Sequence, residues 1–180
     1  MHVKYDVFTN KWGDMFIAIS NKGLCAALFI EDKNNFKVED ALALTQATTG
    51  EYSPQALENV KSQLMDYFDG KRKTFDLVLD IKGTAFQEEV WDILLRIPFG
   101  EVWSYQDVAI AAGDANKVRA IGGAVGKNPV VIIVPCHRVV GKNGKLTGFS
   151  SLGGIELKQK ILDHEGIDLN SGADYQIPLI

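Results

Sequence analysis

Residues 104–125 read SYQDVAIAAGDANKVRAIGGAV, and this stretch decides the fold of the second half of the chain. Ser104 is an N-cap, because a serine hydroxyl can accept a free backbone amide of the turn that follows. About two turns of helix run through Ala111, Gly113 breaks them, and a further helix runs from about Lys117 to Val125. Helix, short glycine-containing turn, helix is the outline of a helix-turn-helix. The second of these helices is unusually bare. A helix that reads sequence presents Asn, Gln, Arg or Lys to base edges in the major groove. This one presents Arg119, Ala120, Gly122, Gly123 and Ala124. Glycine costs helix stability, so the run needs a reason. One is close packing against another element. The other is a slim helix that approaches the minor groove, about 6 Å wide in B-DNA, without reading sequence. Arg119 could then enter the stack where a nucleotide has been extruded.

Working outward, Thr84-Ala85-Phe86-Gln87 is a capping box, and Phe86, Val90, Ile93, Leu94 and Ile97 form one apolar stripe that Pro98 ends. Downstream of Asn128-Pro129, the buried-looking run 130–134 leads into Pro135-Cys136-His137-Arg138. A loop rich in Gly, Asn and Ser then precedes a last helix, about Ile155 to His164, closed by Gly166. The first half is strand-like. Residues 4–9 alternate, and two apolar runs, 15–19 and 24–29, flank Asn21-Lys22-Gly23 as a hairpin. Residues 32–50 are polar and weakly patterned. Ser53-Pro54 starts a helix carrying Leu57, Val60, Leu64 and Phe68, which Gly70 stops. Residues 75–81 return to alternation and to the sheet. A boundary near Lys82-Gly83 gives two domains, 1–82 and 83–180.

With 180 residues, 46% hydrophobic and 23% charged, the chain is neither disordered nor a low-complexity scaffold. Its longest apolar run, 130–134, is too short to span a bilayer, and its first residues lack the pattern of a secretion signal. Cys25 and Cys136 cannot build a disulfide framework or a four-cysteine zinc site, so a reduced intracellular compartment is expected: the cytoplasm, or the nucleus in a eukaryote. The net charge of -4 argues at first against nucleic acid. Its distribution argues the other way. Residues 115–160 hold eight basic side chains against Glu156, a local +7 in a remainder of -11. That is either a lysine-rich surface or a phosphate-binding face.

Cys136 is the most informative residue. A thiolate is a strong nucleophile when a neighbouring base or cation lowers its pKa, and a proline before it with polar groups after it suits a chain leaving the core. The bland alternative is a small buried cysteine, which is the reading given to Cys25. His2 lies at a frayed end, His164 complements a helix dipole, and Trp12, Trp91 and Trp103 are core aromatics. No metal-ligand spacing occurs, and no metal site is expected.

Pro135-Cys136-His137-Arg138-Val139-Val140 resembles the active-site signature of the O6-alkylguanine-DNA alkyltransferases. Gly83-Thr84-Ala85-Phe86-Gln87, Val90-Trp91, Ile97-Pro98, Gly100-Glu101, Ser104-Tyr105, Arg119-Ala120, Gly122, Asn128-Pro129, Leu162 and His164-Glu165-Gly166 follow the family's order. The resemblance covers roughly residues 83–166 strongly, and Tyr67-Phe68 with Gly70 and the early hairpin weakly. It implies an α+β fold, with an N-terminal α/β domain bearing a small antiparallel, ribonuclease H-like sheet. The mainly helical C-terminal domain would carry a winged-helix-like helix-turn-helix.

The resemblance also implies the roles. Cys136 would accept the alkyl group from O6 of guanine, once. His137, through a water, would help generate the thiolate, with Glu165 orienting it, and Tyr105 would donate a proton to the leaving guanine. Arg119 would fill the gap left by the flipped nucleotide, on a helix whose Ala120, Gly122, Gly123 and Ala124, with Lys127, meet the DNA. Asn128 would be a hinge, the backbone near Cys136 and Val139 would accept from the guanine amino group, and Lys158 would stand near the site. The implied partner is double-stranded DNA containing O6-alkylguanine, with no cofactor, no membrane and a monomeric chain. Two departures stand out. The family has Gly-Tyr where this chain has Gly148-Phe149, and 149–158 is about two residues longer. Ser150 is the positional match for an amide that contacts the lesion oxygen, with Ser151 as the alternative; the loop puts alkyl-group size in question. A non-enzymatic relative that only recognises the lesion, a helix-turn-helix regulator and a cysteine hydrolase are the competing classes. Cys136 with His137 and Glu165, the bare helix, and the lack of an oxyanion site weigh against each in turn.

Overall fold

The computed structural model describes residues 1–148 and 153–169. The chain forms two compact units: Met1–Lys82 with Pro129–Ile133, and Gly83–Asn128 with the chain from Val134 onward.

In the first unit, β1 (His2–Asn10), β2 (Gly13–Ile19) and β3 (Leu24–Ile30) form an antiparallel meander. Four successive residues of β2, Met15 to Ala18, are buried, as in a strand covered on both faces. Helix α1 (Val38–Leu44) adds Ala41 and Leu42 to a cluster with Val3, Phe16, Ala18, Cys25, Ala26 and Ile30. Strand β4 (Thr49–Tyr52) pairs parallel with β1 at the sheet edge, giving the order β3-β2-β1-β4. The sheet is therefore antiparallel except for that strand. All four β4 residues are exposed, so the strand leaves no alternation to read. The helix expected from Ser53-Pro54 begins as a 3-10 turn, Pro54–Leu57, and becomes α2 at Glu58–Phe68.

Residues 75–81 do not rejoin the sheet as a strand. They make one parallel bridge, Leu24 to Leu79. The Gln63 amide of α2 donates to Asp76 O (3.0 Å) and accepts from Asp76 N (2.9 Å), occupying groups a ladder would need. The run 130–134 is buried but is not a continuous strand either. It bridges β3 at Ala27, with Ala27 N donating to Pro129 O (2.9 Å) and Val131 N to Ala27 O (2.8 Å). Ile132 then turns it at φ +75°, outside the extended region.

The second unit comprises α3 (Ala85–Leu94), β5 (Trp103–Ser104), α4 (Tyr105–Ala111), α5 (Val118–Val125), β6 (Val139–Val140) and α6 (Gly154–His164). Both capping signals form. Thr84 Oγ1 accepts from Gln87 N while the Gln87 side chain accepts from Thr84 N, and Ser104 and Asp107 do the same for α4. Gly113, at φ +83°, ends α4 in a conformation that side-chain-bearing residues avoid, and a 3-10 turn, Ala115–Lys117, leads into α5. Trp91 Nε1 donates to Ala124 O (2.9 Å), fixing α5 against α3. β5 pairs parallel with β6, which places the start of α4 beside the turn carrying Cys136. No helix among the described residues is long and apolar enough to cross a membrane.

Candidate active site

Cys136 opens a 3-10 turn, Cys136–Arg138, after the buried Pro135. It is 5% exposed and lines a cavity of about 380 Å³ with Tyr105, Gly122, Val125, Gly126, Thr147 and Gly148. The helix-turn-helix thus supplies two walls: Tyr105, the first residue of α4, and the C-terminal half of α5. Thr147 and Gly148 supply the third.

The residues after Cys136 turn inward. His137 Nε2 lies 2.7 Å from Glu165 Oε1. Arg138 grips the same carboxylate with two donors, Nε to Oε2 (2.8 Å) and a terminal nitrogen to Oε1 (3.0 Å), and donates to Ile97 O (2.7 Å). Gly100 N also donates to Glu165 Oε2 (3.3 Å). Glu165 is the C-cap of α6, and Gly166 at φ +79° turns the chain so that Ile167 N returns to Leu162 O (3.0 Å).

Burial alone would raise the Glu165 pKa. The hydrogen bonds and charges of His137 and Arg138 outweigh it and hold the carboxyl well below the usual range. Burial pushes His137 down, against the pull of Glu165 and with Arg138 and Lys158 adding to it, so the imidazole is neutral. A neutral ring facing a carboxylate through Nε2 must carry its hydrogen there, which leaves Nδ1 as an acceptor. Nδ1 is buried and has no hydrogen-bond partner among the described residues. The trio fixes the tautomer of a base next to the thiol in sequence.

The thiol is pushed up by burial, while a hydrogen bond from Asn128 and the charge of Lys158 pull it down. Asn128 also donates to Val134 O (2.8 Å), joining the two residues of the second unit that flank the segment Pro129–Ile133. Lys158, fully buried on α6, donates to Val139 O (2.5 Å) and Thr147 O (3.3 Å). The Tyr105 hydroxyl reaches Thr147 O (3.3 Å) and Gly148 O (3.5 Å), and burial raises its pKa, so it stays protonated at neutral pH.

On α5, Arg119, Ala120 and Gly123 are exposed, as is Lys127 beyond its end. A Cβ added at Gly123 would meet nothing within 4 Å, and at Gly122 only Tyr105, at 3.9 Å. Close packing therefore does not account for these glycines; the helix is slim on its open side. Ala124 is a correction: at 3% exposure it faces inward, where its carbonyl takes the Trp91 indole. Of the eight basic residues in 115–160, six are exposed. Arg138 and Lys158 are buried at the site instead.

Known proteins similar to this chain place it in a family. The DNA-binding domain of 6-O-methylguanine DNA methyltransferase matches residues 85–167, and the ribonuclease-like domain of the same protein family matches residues 3–81. The methylated-DNA–protein-cysteine methyltransferase of Methanosarcina acetivorans is 38% identical over 162 residues, covering 90% of this chain and 97% of that protein. The chain belongs to the methylated-DNA–protein-cysteine methyltransferase family. The constitutive methyltransferase of Bacillus subtilis is 50% identical over 111 residues, 62% of this chain and 67% of that one. A crystal structure of Mycobacterium tuberculosis OGT in complex with DNA superposes with a TM-score of 0.79 at 37% identity, covering 91% of this chain and 93% of that chain.

Within this methyltransferase framework the structure brings Cys136, His137, Glu165, Tyr105, Asn128, Val139 and Lys158 together and sets Arg119, Ala120, Gly123 and Lys127 on an open face. Phe149, Ser150 and Ser151 lie outside the described residues. Arg138 and Thr147 are the participants that sequence reading passed over. Arg138 was legible as part of the signature, but its role appears only when the fold brings Glu165 to it. No group of three or more His, Cys, Asp or Glu able to hold a metal ion occurs among the described residues.

Proposed function

We propose that the chain is a single-turnover DNA repair protein that moves the alkyl group of O6-alkylguanine in double-stranded DNA onto Sγ of its own Cys136. One observation carries this reading: a buried thiol at the wall of a cavity, followed in sequence by a neutral imidazole locked into one tautomer by a buried carboxylate. His137 Nδ1, acting through a water, takes the thiol proton. The thiolate attacks the alkyl carbon, forming S–C as the C–O6 bond breaks, and the bonding pair goes to the guanine. Tyr105, which lines the cavity, gives its proton to the leaving base and limits the negative charge developing there. The thioether is not returned, so each molecule reacts once.

In this reading residues 83–180 are the DNA-binding and acceptor domain, and 1–82 an accompanying α/β domain. The bare face of α5 lies along the minor groove, Arg119 fills the gap left by the flipped nucleotide, and Lys127 contacts phosphate. Backbone groups at Val139 take the guanine amino group, and Asn128 acts as hinge and as a donor to the thiol. No cofactor or metal enters any step. DNA carrying a labelled O6-methylguanine tests the reading. Label should reach the protein at a ratio near one and sit on the Cys136 peptide; label retained by Cys136→Ser would overturn it.

A further inference from the structure

Lys158 is fully buried on the second turn of α6, and it has no carboxylate within salt-bridge distance among the described residues. Its ammonium donates to two backbone carbonyls, Val139 O and Thr147 O. The two carbonyls occupy two of its three N–H donors and leave its charge uncompensated. A buried cation without a counter-ion is costly, and buried charges are ordinarily paired.

The groups around it narrow down what could pair with it. Tyr105, from α4, has its ring centroid 5.9 Å from Nζ and remains a neutral phenol. His137 is neutral, and Arg138 is a cation already matched by Glu165 at the end of α6. That leaves Cys136. The thiol lines the same cavity as Tyr105 and Thr147, and Val139, whose carbonyl holds Nζ, lies three residues after it.

We propose that Lys158 is a positioning residue whose ammonium is the built-in counter-charge of the Cys136 thiolate, held at the cavity wall by the Val139 and Thr147 carbonyls. The resting site, thiol plus ammonium, carries one unbalanced positive charge. When the thiol proton leaves through His137, thiolate and ammonium balance. The charge that destabilises the resting site thus stabilises the reactive one. The electrostatics run the same way: burial brings Lys158 down to about 8, Cys136 pulls it back up, and Lys158 in turn pulls Cys136 down. The two groups titrate as a pair rather than singly.

This inference rests on the acceptor reading of Cys136 only in taking the thiolate as the reacting form. Its test needs no DNA. The full-length protein is treated with iodoacetamide over a range of pH, the thiolate displacing iodide, and the Cys136 peptide is followed by mass spectrometry. Lys158→Met keeps length and apolar stem without charge, and Lys158→Arg restores the charge. The midpoint should rise by about one pH unit or more in Lys158→Met, making the reaction at neutral pH roughly tenfold slower, and fall back toward wild type in Lys158→Arg. An unmoved midpoint in a folded Lys158→Met, whatever its transfer rate, would reduce Lys158 to a structural clamp and overturn the proposal. Should that variant not fold, nitrogen NMR of the lysine ammonium in the wild type gives the same answer. Capping Cys136 with iodoacetamide should move the Lys158 titration to lower pH, and no movement would overturn the pairing. If DNA transfer fails while these shifts appear, the repair reading falls and the ion pair stands.

Discussion

Cys25 and Cys136 are buried to nearly the same degree, 2% and 5% exposed, yet they occupy opposite electrical surroundings. Cys25 sits in β3, donates to Ala18 O (3.3 Å), and is pushed up to about 11 by burial and then by the negative charge of Asp80. Cys136 is also pushed up by burial, but a donor from Asn128 and the cation of Lys158 oppose the push. It faces a cavity, and a fixed base follows it in sequence. Burial makes a thiol inert; the sign of its neighbours and its access to a cavity make one ionisable.

The largest test of that contrast is exchange of each sulfur. Cys136→Ser should leave less than about one thousandth of the transfer rate, while Cys25→Ala should stay within about twofold, measured by single-turnover label transfer. Substantial loss in Cys25→Ala would mean that the two thiols are not separable.

Glu165→Gln should act on both activity and stability. It leaves the Arg138 guanidinium buried without its anion, at a cost of about 3–5 kcal/mol in urea unfolding, and it releases the His137 tautomer, slowing transfer by about 10²-fold. Stability within about 1 kcal/mol of wild type would show that Arg138 finds another partner.

Arg119→Ala separates the DNA face from the chemistry. It should slow repair of duplex DNA by about tenfold but change reaction with free O6-benzylguanine less than about twofold. Equal losses would remove the finger role. Tyr105→Phe should instead slow both substrates, by roughly ten- to a hundredfold.

The smallest effect is on pH dependence. His137 and Glu165 both bind protons less readily in the folded than in the unfolded chain. Their contribution is present at neutral pH and is lost on acidification, beginning below about 6.5 for His137 and below about 4.5 for Glu165. Urea midpoints should fall through these windows, by at most about 1.4 kcal/mol per pH unit for each proton taken up. In His137→Gln the upper window should flatten.

Local signals were the most legible. Thr84 with Gln87 and Ser104 with the start of α4 could be read because each cap is completed within three residues. The helix-turn-helix follows from them; the signature around Cys136 gives His137, and the motifs Ser104-Tyr105 and His164-Glu165-Gly166 give Tyr105 and Glu165. What sequence reading missed depends on distant chain. α1 and β4 leave little pattern because one is short and the other exposed. Residues 75–81 alternate as a strand would, yet Gln63 takes their backbone groups. Arg138 needs Glu165, 27 residues away. Ala124 could have been assigned inward, since Ile121, Ala124 and Val125 fall at the spacing of one helix face.

The return of Pro129–Ile133 to the first unit has a consequence for biosynthesis. When residue 82 has been made, Ala27 of β3 still lacks the backbone partners that Pro129 and Val131 will bring. At 5–20 residues per second, the ribosome needs about 3–10 s more to supply them. The N-terminal unit must wait through that interval with an unfinished sheet edge, and it is completed by the stretch of chain that leads directly to Cys136.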